Sequence, residues 1–102
     1  MTAADSLSRT YLVECCEPGI ARAQVESASE RAMAASAELR DEGRTVEYVG
    51  AIFVPGDEVV FHVFAAESAA TVSAATTRAS VAYERVVESV SVGRLRLTHE
   101  TR

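Results

Sequence analysis

Residues 45–66 read Thr-Val-Glu-Tyr-Val-Gly-Ala-Ile-Phe-Val-Pro-Gly-Asp-Glu-Val-Val-Phe-His-Val-Phe-Ala-Ala. Thr45–Val54 and Glu58–Ala66 are rich in β-branched and aromatic residues, as strands are. Pro55-Gly56-Asp57 separates them with turn chemistry: Pro presets φ at the first corner and Gly accepts a positive φ. The stretch is therefore predicted to be a β-hairpin. A three-residue loop would pair Val54 with Glu58, Ile52 with Val60, Gly50 with His62 and Tyr48 with Phe64.

Working outward, Ile20–Glu42 carries Ala21, Val25, Ala28, Ala32, Ala35 and Leu39 at steps of three and four, which places them on one stripe of a helix. Gly43 follows where a left-handed cap is wanted. Before it, Thr10–Cys16 alternates as a strand, broken by Pro18-Gly19. After the hairpin, Ser68 suits the N-cap of a second helix to about Arg78. Ser80–Glu88 reads as a further helical turn or two, and Val90–Leu97 as the last strand. Residues 1–9 read as a polar N-terminal arm, 10–97 as one domain and 98–102 as a tail.

The resulting βαββαβ order predicts an α+β, ferredoxin-like domain: one antiparallel sheet with both helices on one face. Both faces of the third strand are apolar, so the uncovered face is expected to meet a second copy in a homodimer. The hairpin register gives two candidate faces. Val49, Ala51, Phe53, Val59, Phe61 and Val63 are all apolar and suit the helix side. Tyr48, Gly50, Ile52, Val60, His62 and Phe64 would then lie open, beside Glu14 and Cys16 of the first strand.

The 102 residues carry a formal net charge of −5. All basic residues are Arg, and they are dispersed, which argues against nucleic-acid partners, since phosphate contacts need clustered cations. No apolar run approaches the roughly 20 residues of a membrane span, and no signal-peptide core opens the chain. Adjacent Cys15 and Cys16 point to opposite faces of a strand, so reduced thiols and a cytoplasmic location are expected.

On the expected open face, His62 offers an imidazole for metal ligation or acid–base work. Glu14, mid-strand among apolar neighbours, needs a partner. That partner is either a metal shared with His62 or an ion pair with Arg85, Arg94 or Arg96. Cys16 would add a soft donor, and this nitrogen, oxygen and sulfur set suits nickel or zinc. The other use of the same residues is a cofactor-free isomerase or cyclase. There His62 is the acid/base, and Glu14 or Tyr48 orients a small-molecule substrate in a pocket between sheet and helices. A structural or regulatory dimer without a small ligand is the third reading.

Three stretches resemble a known family. They are Tyr11-Leu12-Val13-Glu14 with Pro18-Gly19; Val49-Gly50 through Phe53-Val54-Pro55, then Asp57-Glu58-Val59-Val60-Phe61; and Tyr83-Glu84-Arg85-Val86-Val87-Glu88-Ser89-Val90. In order and spacing they are similar to a bacterial family of small ferredoxin-like proteins of unknown function that includes an actinobacterial nickel-binding protein. The resemblance spans roughly residues 11–92. It implies a dimeric α+β protein that binds nickel or another divalent transition metal.

Overall fold

The computed structural model describes residues 8–93. The elements run β1 (Arg9–Cys16), α1 (Arg22–Asp41), β2 (Val46–Val54), β3 (Val59–Ala66), α2 (Ala69–Arg78) and β4 (Arg85–Ser89). The strands form one sheet in the order β2-β3-β1-β4, with every neighbouring pair antiparallel. This is the ferredoxin-like α+β fold.

The α1 stripe is buried as its spacing predicts. Val25, Ala28, Ala32, Ala35 and Leu39 face the sheet, and Ala21 is left exposed just outside the helix. No hydroxyl or carboxyl caps its start; instead Gln24 Oε1 accepts a bond from the Ala21 N–H at 2.7 Å. Small side chains along the stripe let the helix lie close to the sheet, over Tyr11, Val13, Val60 and Phe64. Phe64 is 1% exposed, and burying such a ring stabilises the fold by about 2–3 kcal/mol. Ser68 caps α2 through its Oγ, which accepts from the Thr71 N–H at 3.2 Å.

The hairpin differs from its predicted register. Pro55–Asp57 is a turn of 3-10 helix, and Glu58 follows it in the left-handed region at φ 56°. The loop is thus one residue longer than expected, and Val54 pairs with Val59, Phe53 with Val60 and Ala51 with His62. Glu58 is held in that conformation by the turn that follows β1: its carbonyl accepts from the Glu17 N–H at 3.1 Å and its carboxylate from the Gly19 N–H at 2.9 Å. A bulge between Tyr48 and Gly50 then absorbs the extra residue, so Tyr48 still lies opposite Phe64.

The faces of β3 and of Tyr48 are also exchanged, whereas Ile52 stays on the open side and Phe53 on the helix side, as expected. Tyr48, Val60, His62 and Phe64 are buried beneath the helices and were expected on the open side. Val59, Phe61 and Val63 take the open side, with Leu12, Glu14 and Cys16 as expected for β1. Both parities of β3 are apolar, so hydrophobicity alone does not choose between them. The choice falls to packing against the helices and to polar groups that satisfy one another there, Tyr48 with His62 and Ser29.

The last strand is a further correction. Arg85–Ser89 is β4, where a helical turn was expected, and Val90–Gly93 is not strand. Val86 and Val87 pair with Val13 and Leu12 of β1. The Glu84 N–H donates to the Glu14 carbonyl at 2.7 Å as the strand begins. The rest of the expected Val90–Leu97 strand, with Arg94 and Arg96, lies outside the described residues, as do most of the expected arm and all of the tail.

Candidate functional site: a cleft between sheet and helix

Between the sheet and the first half of α1 lies a cleft of about 440 Å³. Cys15, Val60 and His62 form its floor, Val25, Ala28 and Arg31 one wall, and Ser80 and Val81 the other. The wall after α2 has an unusual conformation. Ser80 stands at φ 60°, in the left-handed position that glycine ordinarily takes. The Ser80 N–H donates to the Thr77 carbonyl, and the Val81 N–H to the Thr76 carbonyl at 3.1 Å. These bonds close the helix and turn the chain into the cleft.

His62 is the centre of the site. It is 3% exposed. Its Nδ1 lies 2.7 Å from the Tyr48 hydroxyl, and that hydroxyl lies 2.7 Å from Ser29 Oγ of α1. Tyr48 is held in turn by its edge-on contact with Phe64, ring centres 5.2 Å apart. Nε2 of His62 has no hydrogen-bond partner among the described residues. Of the buried side-chain nitrogens and oxygens described there, Ser36 Oγ is the one with neither partner nor solvent. The ring lines the cleft, and Nε2 is the ring nitrogen that the Tyr48 contact leaves available there.

Burial, assisted by the nearby Arg31 charge, pushes the His62 pKa down to about 4. The ring is neutral at physiological pH, so in the free protein it is a hydrogen-bonding group and not a cation. Burial also raises the Tyr48 pKa, against the opposing bond from Ser29. The Cys15 thiol is pushed up to about 11, first by burial and then by Glu17. It is thus a protonated, weakly polar part of the floor and not a nucleophilic thiolate. Arg31 is pinned at the rim: Nε donates to the Ala79 carbonyl at 2.9 Å and Nη1 to Ser27 Oγ at 2.8 Å.

The residues singled out in the sequence do not converge. Val13 pairs with His62 and faces the helices, whereas Glu14 pairs with Phe61 and faces away. The Glu14 carboxylate accepts from Arg85 Nε at 2.7 Å on the open face, directly across the β1–β4 ladder. Cys16 is exposed beyond it. His62, Glu14 and Cys16 therefore lie on opposite faces of the sheet and do not fit one nickel or zinc ion. No other group of three metal-ligating side chains comes together among the described residues. The structure instead joins His62 and Tyr48, both named from the sequence, to Ser29, Arg31, Cys15 and Ser80, which were not. Cys15 was findable by parity, since it shares the face of Val13. Ser29 and Arg31 carry no local signal, because only the docking of α1 brings them to the sheet.

No family model and no curated protein matches the chain. Among solved structures, the chain is similar to SCO4226 from Streptomyces coelicolor A3(2). The TM-score is 0.69 at 16% identity, over 82% of this chain and 99% of that one. At that identity the likeness carries the fold and no more. Among the described residues, no helix is long and apolar enough to cross a membrane.

Proposed function

We propose that the protein binds a small organic molecule in the sheet–helix cleft, with His62 as its polar anchor. The observation that carries this reading is the buried imidazole that lines the cleft, with Nδ1 2.7 Å from the Tyr48 hydroxyl and Nε2 without a described partner. Apolar walls with a few convergent polar groups are what such ligand sites share. Acid–base chemistry at neutral pH, in an isomerase or cyclase, requires that the bound ligand raise the His62 pKa from about 4. The sheet–helix cleft supports this reading over nickel binding, whose donor set is divided by the sheet.

The second component of the proposal is a homodimer through the open face. Leu12, Ile52, Val59, Phe61 and Val87 share that face, with Ile52 47% and Val87 36% exposed, and the Glu14–Arg85 pair within it is neutral as a unit. A second copy of the same face is apolar where this one is apolar and adds no net charge. Two free cysteines support a reducing, cytoplasmic setting.

The test is chemical-shift mapping of labelled protein with small aromatic and aliphatic amides, alongside a Ni(II) titration. The proposal expects shifts at Val25, Val60 and Val81 that vanish in folded His62→Phe protein. Shifts confined to the open face would refute the cleft. Tight Ni(II) binding lost in His62→Ala would restore the metal reading.

A further inference from the structure

The hydrogen-bond chain through His62 has a direction. If Ser29 donates to Tyr48 and Tyr48 donates to Nδ1, both hydroxyl protons are used within the three groups. In the reverse direction the Ser29 proton would pass to water, which the half-buried Ser29 reaches. A phenol is also a good donor, and an imine nitrogen accepts well. In the first direction, which the phenol favours, the proton of the neutral ring resides on Nε2.

Arg31 lines the same cleft. Two of its nitrogens are committed to Ala79 and Ser27, which fix the guanidinium plane at the rim and leave Nη2 without a described partner. Ser27 and Ser80 add hydroxyls to that side. Glu17 also lines the cleft, with its charge acting on Cys15, while the Arg31 charge acts on His62. The cleft thus carries charge of both signs. Val25, Val60 and Val81 lie among the lining residues as its apolar part.

Resting on the cleft-binding reading above, we infer that the ligand is a small organic carboxylate, or a closely related oxyanion such as an enolate. One oxygen accepts from His62 Nε2–H, the other meets Arg31, and the hydrocarbon body lies along the valines. Charge-assisted bonds of this kind are stronger than neutral ones. A neutral imidazole can donate to such an anion without itself being charged, so the site needs no buried cation at its floor. The anion in turn favours protonation of the ring, which would bring His62 toward the range where it can transfer a proton.

The test uses benzoate and hexanoate with their neutral counterparts, benzamide and hexanamide, titrated by calorimetry and by chemical-shift mapping. The acids are expected to bind at least about tenfold tighter than the amides, the scale of one hydrogen bond to a charged group. Arg31→Gln should abolish that ratio while leaving amide binding in place. Arg31→Lys, which keeps the charge, should retain most of it, and a folded spectrum of each variant excludes loss of structure as the cause. Equal binding of acids and amides, or a ratio unchanged in Arg31→Gln, would overturn the carboxylate inference and leave the cleft reading standing. Absence of cleft shifts with all four compounds would overturn both.

Discussion

Removing a single oxygen, in Tyr48→Phe, isolates the interaction on which the site depends. The ring stays, and with it the contacts to Phe64 and His62 at centroid distances of 5.2 and 5.8 Å. What is lost is the hydroxyl that lies 2.7 Å from both His62 Nδ1 and Ser29 Oγ. Ser29 is half-buried and can turn to water, so its loss is small. Nδ1 sits beneath the helix in a ring 3% exposed, so it is left unpaired. One net hydrogen bond is worth about 1 kcal/mol, and an unsatisfied buried nitrogen costs about 1–3 kcal/mol. The sum is about 2–4 kcal/mol, which for a domain of this size lowers Tm by roughly 10–30 °C. Replacing both partners, in Tyr48→Phe with His62→Phe, leaves no orphan, so the double variant should be more stable than the sum of the singles by about 2 kcal/mol. Thermal and urea unfolding of the four proteins measures this. Single-variant losses that add within about 0.5 kcal/mol would show that the two side chains are not coupled, and the described site would be wrong.

Other outcomes follow from the same geometry. His62 has a folded pKa of about 4 against an ordinary 6.5, so the unfolded chain takes up the proton first on acidification. Its contribution is fully present above about pH 6.5 and is lost as pH falls through about 4; the total is roughly 3 kcal/mol. Urea unfolding across that window should therefore show a fall in stability that is reduced in His62→Phe. Ser80→Gly relieves the left-handed strain at φ 60° and should stabilise the fold by about 0.5–1 kcal/mol, read as a rise in Tm. Phe61→Glu places a charge in the middle of the open face, and if the proposed homodimer forms through that face, sedimentation should show wild-type dimer and variant monomer with the fold kept.

Much of the architecture is legible in local patterns, and the misreadings have a common cause. The alanine stripe of α1 repeats at a helical interval, so its buried face is written in the sequence. The hairpin is marked by Pro55-Gly56, but its register rests on whether Glu58 joins the loop, and that is decided by bonds to Glu17 and Gly19 in the turn after β1. In β3 the sequence Val-Val-Phe-His-Val-Phe is apolar at both parities, so its inward face is set by long-range packing. His62 and Tyr48 were expected outside because they are polar. They lie inside because they satisfy each other and Ser29. The Val86-Val87 doublet has no alternation and becomes strand through pairing with Val13 and Leu12. Glu14 was readable as a residue in need of a partner, and Arg85 supplies it.

The central claim is that His62 lies beneath the helix with Nδ1 held by Tyr48 and Nε2 open to the cleft. Long-range ¹H–¹⁵N correlation of the histidine ring, followed from pH 8 down to the acid limit of the fold, tests it most directly. The account predicts a single Nε2–H tautomer throughout the neutral range, with protonation delayed to about pH 4. A ring that titrates near 6.5, or that averages between tautomers at neutral pH, would contradict it.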